Sequence, residues 1–150
     1  MNGKMVGRPM EILLVEDSLT QANVTFHALQ KADFEHRLSI VLDGQEALDF
    51  LGKVGKYARV PNPDLILLDL RLPKVDGIDV LVEIKRTETL RNAAVVVMTA
   101  SDDEEDRAHC LHSNVDAYLT KPVDVRKFLD VVRQLRDFWK HEELILPAAV

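Results

Sequence analysis

Five short apolar runs, at residues 12–15, 38–42, 65–68, 94–98 and 117–119, alternate along the chain with segments whose apolar residues recur at three- and four-residue spacing. That alternation is the strongest constraint on the fold. Three of the runs are apolar at nearly every position instead of every second one, which predicts strands covered on both faces, as in a parallel sheet. The intervening segments carry helix start signals. Ser18 with Gln21, Asp43 with Glu46 and Ser101 with Glu104 each set a capping residue three positions before an acceptor, and Asp76 and Asp124 are N-cap candidates for two further helices. Beyond the caps, the expected inward faces are Ala22, Phe26 and Leu29; Ala47, Leu48 and Leu51; Ile78, Leu81 and Val82; and Val125, Phe128, Leu129 and Val132. One connection is long: residues 52–63 hold two glycines, two prolines and three basic residues and read as an exposed loop.

Five strand-then-helix units imply a doubly wound sheet, because parallel neighbours need a crossover and the crossover is right-handed. The expected architecture is a flavodoxin-like (βα)5 sandwich with five parallel strands, helices on both faces and an extended C-terminal tail. A chain of 150 residues with 47% hydrophobic and 29% charged side chains is enough for one such domain. It needs no disulfide, and the single Cys110 can form none internally, which fits a reducing compartment. The first ten residues lack the apolar segment of an export signal, and no apolar run approaches the ~20 residues that span a bilayer, so a cytoplasmic protein without a membrane partner is expected. The expected limits are a flexible N-terminus over 1–9, the domain over 10–140 and a tail over 141–150. A net charge of −6 argues against sequence-independent nucleic-acid binding through a basic face.

In an open parallel sheet the ligand crevice lies beyond the carboxyl ends of the strands. There the sequence sets Glu16 and Asp17 after the first strand, Asp69 after the third, Thr99 at the end of the fourth, and Lys121 with Pro122 after the fifth. Two unit charges about 4 Å apart at an effective dielectric near 20 interact by roughly 4 kcal/mol, so three carboxylates in one crevice require cations. Lys121 supplies one. A hard divalent ion, Mg²⁺ or Mn²⁺, fits a set of oxygen ligands without His or Cys, and such an ion commonly takes a phosphate oxygen as well. A carboxylate in that setting can act as nucleophile toward a phosphoryl group. Asp69, separate from the acidic pair and flanked by Leu68 and Leu70, is the candidate.

The segments LLVEDS (13–18), LLDLRLPKVDG (67–77), VVMTAS (96–101) and AYLTKP (117–122) resemble the four signature segments of response-regulator receiver domains in two-component signalling. Asp69 precedes Thr99 by 30 residues and Lys121 by 52, as in that family, and the resemblance runs from about residue 10 to 139. It implies the strand order 2-1-3-4-5. It also implies that Asp69 is the phosphoacceptor, that Glu16, Asp17, Asp69 and the backbone carbonyl of Arg71 hold the metal ion, and that Lys121 and Thr99 bind phosphoryl oxygens. Tyr118 would be the aromatic that turns inward when Thr99 moves, and the Lys121–Pro122 bond would be cis, as in many members. Glu16 departs from the Asp of many members by one methylene, which can route that ligand through water. Arg71 and Ala100 occupy positions that tune phosphoryl lifetime across the family.

The end of the chain about ten residues past the fifth helix predicts a stand-alone receiver. The long loop, the DFW sequence at 137–139 and the LILP sequence at 144–147 resemble single-domain regulators that pair with cyanobacterial phytochromes, which are histidine kinases. In that subfamily the regulator dimerises through its fourth helix, fifth strand, fifth helix and tail, and the apolar tail here either serves such a contact or folds back on its own domain. The expected role is thus a signalling phosphoacceptor with weak self-catalysed phosphotransfer and autodephosphorylation, not a turnover enzyme. An Asp-nucleophile phosphatase is an alternative, but the common ones carry a second Asp two positions on, where this chain has Arg71. A phosphorylation-independent binding module is another, against which the full set of acids, Thr99 and Lys121 weighs. The acids at 102–106 read as caps and a solvated helix face, the five histidines as surface or packing residues, and Cys110 as an unreactive helix residue.

Overall fold

The computed structural model describes residues 9–141, and side chains as far as 136. The strands are β1 (Met10–Val15), β2 (His36–Val41), β3 (Leu65–Leu68), β4 (Ala94–Thr99) and β5 (Ala117–Thr120), alternating with helices α1 (Leu19–Leu29), α2 (Gly44–Leu51), α3 (Gly77–Arg86), α4 (Glu104–His112) and α5 (Val125–His141). All pairings are parallel, in the order β2-β1-β3-β4-β5. The (βα)5 fold and strand order expected from the sequence are therefore present. The apolar runs explain which strands are central. β3 and β4 are buried along their whole length and β1 at all but one position, whereas the edge strand β2 is mostly half-exposed.

Alternate residues of each central strand feed two cores. Met10, Ile12 and Leu14 pack with Ala22, Ala28 and Leu29 of α1 and with Phe128 and Val132 of α5. On the other face Leu13 and Val15 meet Ala47, Phe50 and Leu51 of α2, Val80, Leu81 and Ile84 of α3, and Cys110 of α4. Two expected inward residues are corrected. Phe26 and Val82 are exposed, because the buried stripes centre on Ala22, Thr25, Ala28 and Leu29 and on Val80, Leu81 and Ile84. Small residues at 22, 25 and 28 let α1 approach the sheet closely, which leaves Phe26 on the flank, edge-on to His27.

Ser18, Asp43 and Asp124 cap their helices as expected, accepting from the amides of Gln21, Glu46, and Arg126 with Lys127. Asp76 precedes α3 in N-cap conformation but makes no side-chain cap bond. The cap of α4 is Asp103, not Ser101, and accepts from the Glu105 amide. Ser101 is committed elsewhere, as described below. The 52–63 connection is also more than a bare loop. It contains a 3₁₀ turn at Gly55–Tyr57, and Tyr57 anchors it by packing on Phe50 and donating its hydroxyl to Glu46. The tail contacts expected of Phe138, Trp139 and residues 144–146 fall outside the described side chains. Among the described residues no helix is long and apolar enough to cross a membrane.

Candidate functional site

The register of the sheet assembles the site. Val15 pairs with Leu68, so β1 and β3 end at one level of the sheet, while β4 runs two residues past Val97, the partner of Leu68, and ends at Thr99 opposite Thr120. The Asp69 amide donates to the Val15 carbonyl at 3.1 Å, and the Lys121 amide to the Thr99 carbonyl at 2.8 Å. Backbone bonds thus fix where three of the expected residues, Asp69, Thr99 and Lys121, leave the sheet. Helix α3 then closes on the β3 end. Gly77 donates its amide to Leu70, and a Cβ at Gly77 would collide with the Asp69 carbonyl and the Leu70 backbone. Only glycine permits that approach.

The side chains converge as the sequence predicts. Glu16, Asp69 and Thr99 are 2%, 7% and 0% exposed, while Asp17 is exposed. Lys121 Nζ donates to Glu16 Oε1 at 2.6 Å and to Asp69 Oδ2 at 2.9 Å. The second oxygen of each acid takes a backbone amide: Glu16 Oε2 from Ser18 at 3.2 Å, Asp69 Oδ1 from Arg71 at 3.0 Å. Burial pushes the Glu16 carboxyl above its ordinary range, and the hydrogen bond and charge of Lys121 only partly offset it. Burial pushes Lys121 the other way, but its bonds to Glu16 and Asp69 outweigh that and hold the ammonium above its usual value. Lys121 is thus a fixed cation. The Lys121–Pro122 peptide is cis.

Oxygens of Glu16, Asp17 and Asp69 lie within 4.8 Å of one another, and among the described residues they form the one cluster of three metal-ligating side chains. The donor set is all carboxylate. Together with the residual cost of the buried Glu16 charge it fits a hard divalent cation, and no His or Cys competes to make it a zinc site. Thr99 adds a buried hydroxyl that accepts from the Ser101 amide at 3.2 Å and keeps its own proton available for an incoming acceptor.

The sequence missed one part of the surroundings. Arg71 and Ser101 both hydrogen-bond Asp106 on α4, Ser101 at 2.8 Å, so one member of the acidic run is partnered and not merely solvated. Tyr118 donates its hydroxyl to the Ser101 carbonyl at 2.9 Å, and the Arg107 guanidinium lies 4.6 Å from its ring centre. Burial raises the Tyr118 pKa, so the phenol remains a donor at neutral pH. No periodic pattern marks Asp106, because its partner lies 35 residues earlier.

A doubly wound sheet that gathers three acids, a buried Thr hydroxyl and a Lys at its carboxyl edge defines a phosphoacceptor-type α/β module. The chain belongs to the response-regulator receiver domains: the model of the family "Response regulator receiver domain" matches residues 12–133. Response regulator Rcp1 of Synechocystis sp. is 41% identical over 141 residues, covering 94% of this chain and 95% of that relative. The crystal structure of its Mn²⁺-bound form matches with a TM-score of 0.77 over 93% of this chain and 100% of that one. The phosphorylated cyanobacterial phytochrome response regulator RcpA matches at 38% identity and a TM-score of 0.77, over 94% of this chain and 100% of that one. The receiver domain of the sensor histidine kinase PA1611 from Pseudomonas aeruginosa, solved with magnesium in its active-site cleft, matches at 30% identity and a TM-score of 0.69, over 85% and 98%. The chain is a response regulator, and its class of partner is the histidine kinase.

Proposed function

We propose that Asp69 accepts a phosphoryl group from a kinase phosphohistidine and that Thr99, Lys121 and Tyr118 convert the modification into a change of partner affinity. The observation that carries this reading is Lys121 bonded to both Glu16 and Asp69 beside a cluster of three carboxylates. In the transfer, an Asp69 carboxylate oxygen attacks phosphorus, the P–N bond breaks, and the imidazole keeps the electron pair and takes a proton from solvent. Water later attacks phosphorus, the aspartyl O–P bond breaks, and phosphate and the free carboxylate return. The receiver itself catalyses both steps, and only weakly. Glu16, Asp17, Asp69 and the Arg71 carbonyl would hold Mg²⁺, or Mn²⁺, which when bound neutralises charge on the transferring oxygens. Lys121 supplies a further fixed positive charge, and the Thr99 proton is free to bond a phosphoryl oxygen. Loss of the Thr99 Oγ1 acceptor would loosen Ser101, to which Tyr118 is bonded.

The finer assignments rest on the relatives. Likeness to RcpA supports a phytochrome-type kinase as donor. The expected dimer through α4, β5, α5 and the tail, the domain limits 10–140 and a cytoplasmic setting belong to the same reading. One experiment tests its centre: acetyl phosphate with Mg²⁺ gives a single phosphoryl adduct by intact mass, and Asp69→Asn gives none. An adduct retained in Asp69→Asn overturns the assignment. Sedimentation of the wild type with and without beryllofluoride tests the dimer, and a monomer mass in both states at every concentration excludes it.

A further inference from the structure

Arg71 sits two residues past Asp69, yet its guanidinium points away from that carboxylate toward α4. Its Nη2 bonds Asp106 Oδ2 and lies 3.5 Å from Ser101 Oγ, and its Nη1 is 3.8 Å from Asp76 Oδ2. The same Asp106 Oδ2 accepts the Ser101 hydroxyl at 2.8 Å. Asp106 is mostly shielded, with 13% of its side chain exposed, whereas Arg71 is half-exposed at 52%. One carboxylate oxygen on the first turn of α4 therefore ties down the loop after β3 and the loop after β4 together. Ser101 carries the tie inward, through its amide to Thr99 Oγ1 and its carbonyl to the Tyr118 hydroxyl.

We propose that Asp106 is a positioning residue for the chemistry at Asp69: it parks the Arg71 guanidinium on α4 while Asp69 is unmodified and yields it to the phosphoryl group once Asp69 carries one. The proposal rests on Asp69 as the phosphoacceptor. Its physical basis is a competition between anions. Asp106 offers Arg71 a single oxygen already shared with Ser101, whereas a phosphoryl group brings roughly −1.5 to −2 charge and several acceptor oxygens that suit the guanidinium fork. Transfer of Arg71 to the phosphoryl group then leaves Asp106 and Ser101 without their shared cation, which loosens the first turn of α4 in the same event. Breaking the Arg71–Asp106 pair is a cost that phosphorylation must meet.

A double-mutant cycle reads that cost. Binding of beryllofluoride with Mg²⁺ is measured on wild type, Asp106→Asn, Arg71→Gln and the double variant, each first shown to be folded by its thermal transition. Asp106→Asn is expected to bind about fivefold more tightly than wild type, the upper end of what a surface ion pair is worth, as suits a pair with one partner shielded. In the Arg71→Gln background the same change is expected to have no effect, and Asp106→Glu, which keeps the charge, is expected to restore wild-type affinity. Equal effects of Asp106→Asn in both backgrounds, or none in either, overturn the proposal and assign Asp106 a packing role alone. If wild type neither binds beryllofluoride nor forms the acetyl-phosphate adduct, the phosphoacceptor reading itself has failed, an outcome separate from an adduct without coupling.

Discussion

Residue scale is where the charges of this chain depart from ordinary behaviour, and two ion-bearing clusters show it. At the site, Lys121 bridges two acids buried at the strand ends and offsets one of their two charges. Away from it, Glu46 and Tyr57 form a pair that holds the 52–63 connection against α2. The Tyr57 hydroxyl bond, followed by the Leu42 amide, holds the Glu46 carboxyl below its usual range, and burial followed by the Glu46 bond pushes the Tyr57 phenol up to about 12. The two shifts bracket a window. A lowered carboxyl contributes stability above its unfolded pKa, near the reference 4.5, and loses it as pH falls through the folded value. A raised phenol contributes stability below its unfolded pKa, at the reference value of 10.0, and loses it as pH rises toward about 12. Tyr57→Phe should therefore cost about 1.5 kcal/mol on the plateau between, the scale of a hydrogen bond to a charged acceptor, and the gap to wild type should close at both ends. Urea midpoints of the two proteins across pH measure it; a gap that persists beyond pH 12 contradicts the assignment.

At the scale of elements, the contact that most directly joins fold to chemistry is the start of α3 against the end of β3. A methyl group at Gly77 has no space beside the Asp69 carbonyl and the Leu70 backbone. Gly77→Ala is expected to cost about 2–3 kcal/mol, as other overpacked positions do. Because the peptide that must yield carries Asp69, the rate of adduct formation with acetyl phosphate should fall in the fraction that remains folded. A folded variant with wild-type rate would show that the displacement bypasses Asp69. Much at this scale was legible in sequence. Central strands announced themselves as unbroken apolar runs; Ser18 and Asp43 were readable as caps because capping depends on residues three apart, and Asp124 by its residue type before an apolar-periodic segment. The α4 cap was not. Ser101 has the right spacing to Glu104, but its hydroxyl donates to Asp106 and accepts from the Asp103 amide, in a turn that precedes the helix, and the cap falls on Asp103. Phe26 and Val82 escaped for a related reason: spacing fixes a stripe's period, while the sheet's nearest approach fixes its centre. Glu16, Asp17, Asp69, Thr99 and Lys121 could be gathered on paper because parallel connectivity sends every strand end to one edge. The Arg71–Asp106 tie could not, since side-chain reach across two loops leaves no periodic trace.

For the whole molecule, the net charge of −6 has two origins with different consequences. The acids at 102–106 account for most of it, and apart from Asp106 they face solvent at the start of α4, where the helix N-terminus favours them. Glu16, Asp17 and Asp69 are fewer but bring oxygens within 4.8 Å of one another, two of them buried and Asp17 exposed, so their repulsion acts on the folded state and not on the unfolded chain. Lys121 relieves Glu16 and Asp69 and makes no ion pair with Asp17. A cation that binds only the folded state should therefore stabilise it by linkage. At a Mg²⁺ concentration about a hundredfold above its dissociation constant the gain is about 2.7 kcal/mol, which for a chain of this size raises Tm by roughly 8 °C. Asp17→Asn should separate the two charge effects. Without metal it removes one repelling carboxylate and leaves every bond of Lys121 in place, so its Tm should equal or exceed that of the wild type. With Mg²⁺ its gain should largely vanish, because the lost carboxylate is the one of the three ligands that Lys121 does not already engage. Calorimetric melts of both proteins with and without Mg²⁺ decide the matter. An undiminished Mg²⁺ shift in Asp17→Asn would place the cation elsewhere, and a metal-free loss of stability in that variant would mean that Asp17 is held by attraction and not by strain against its neighbours.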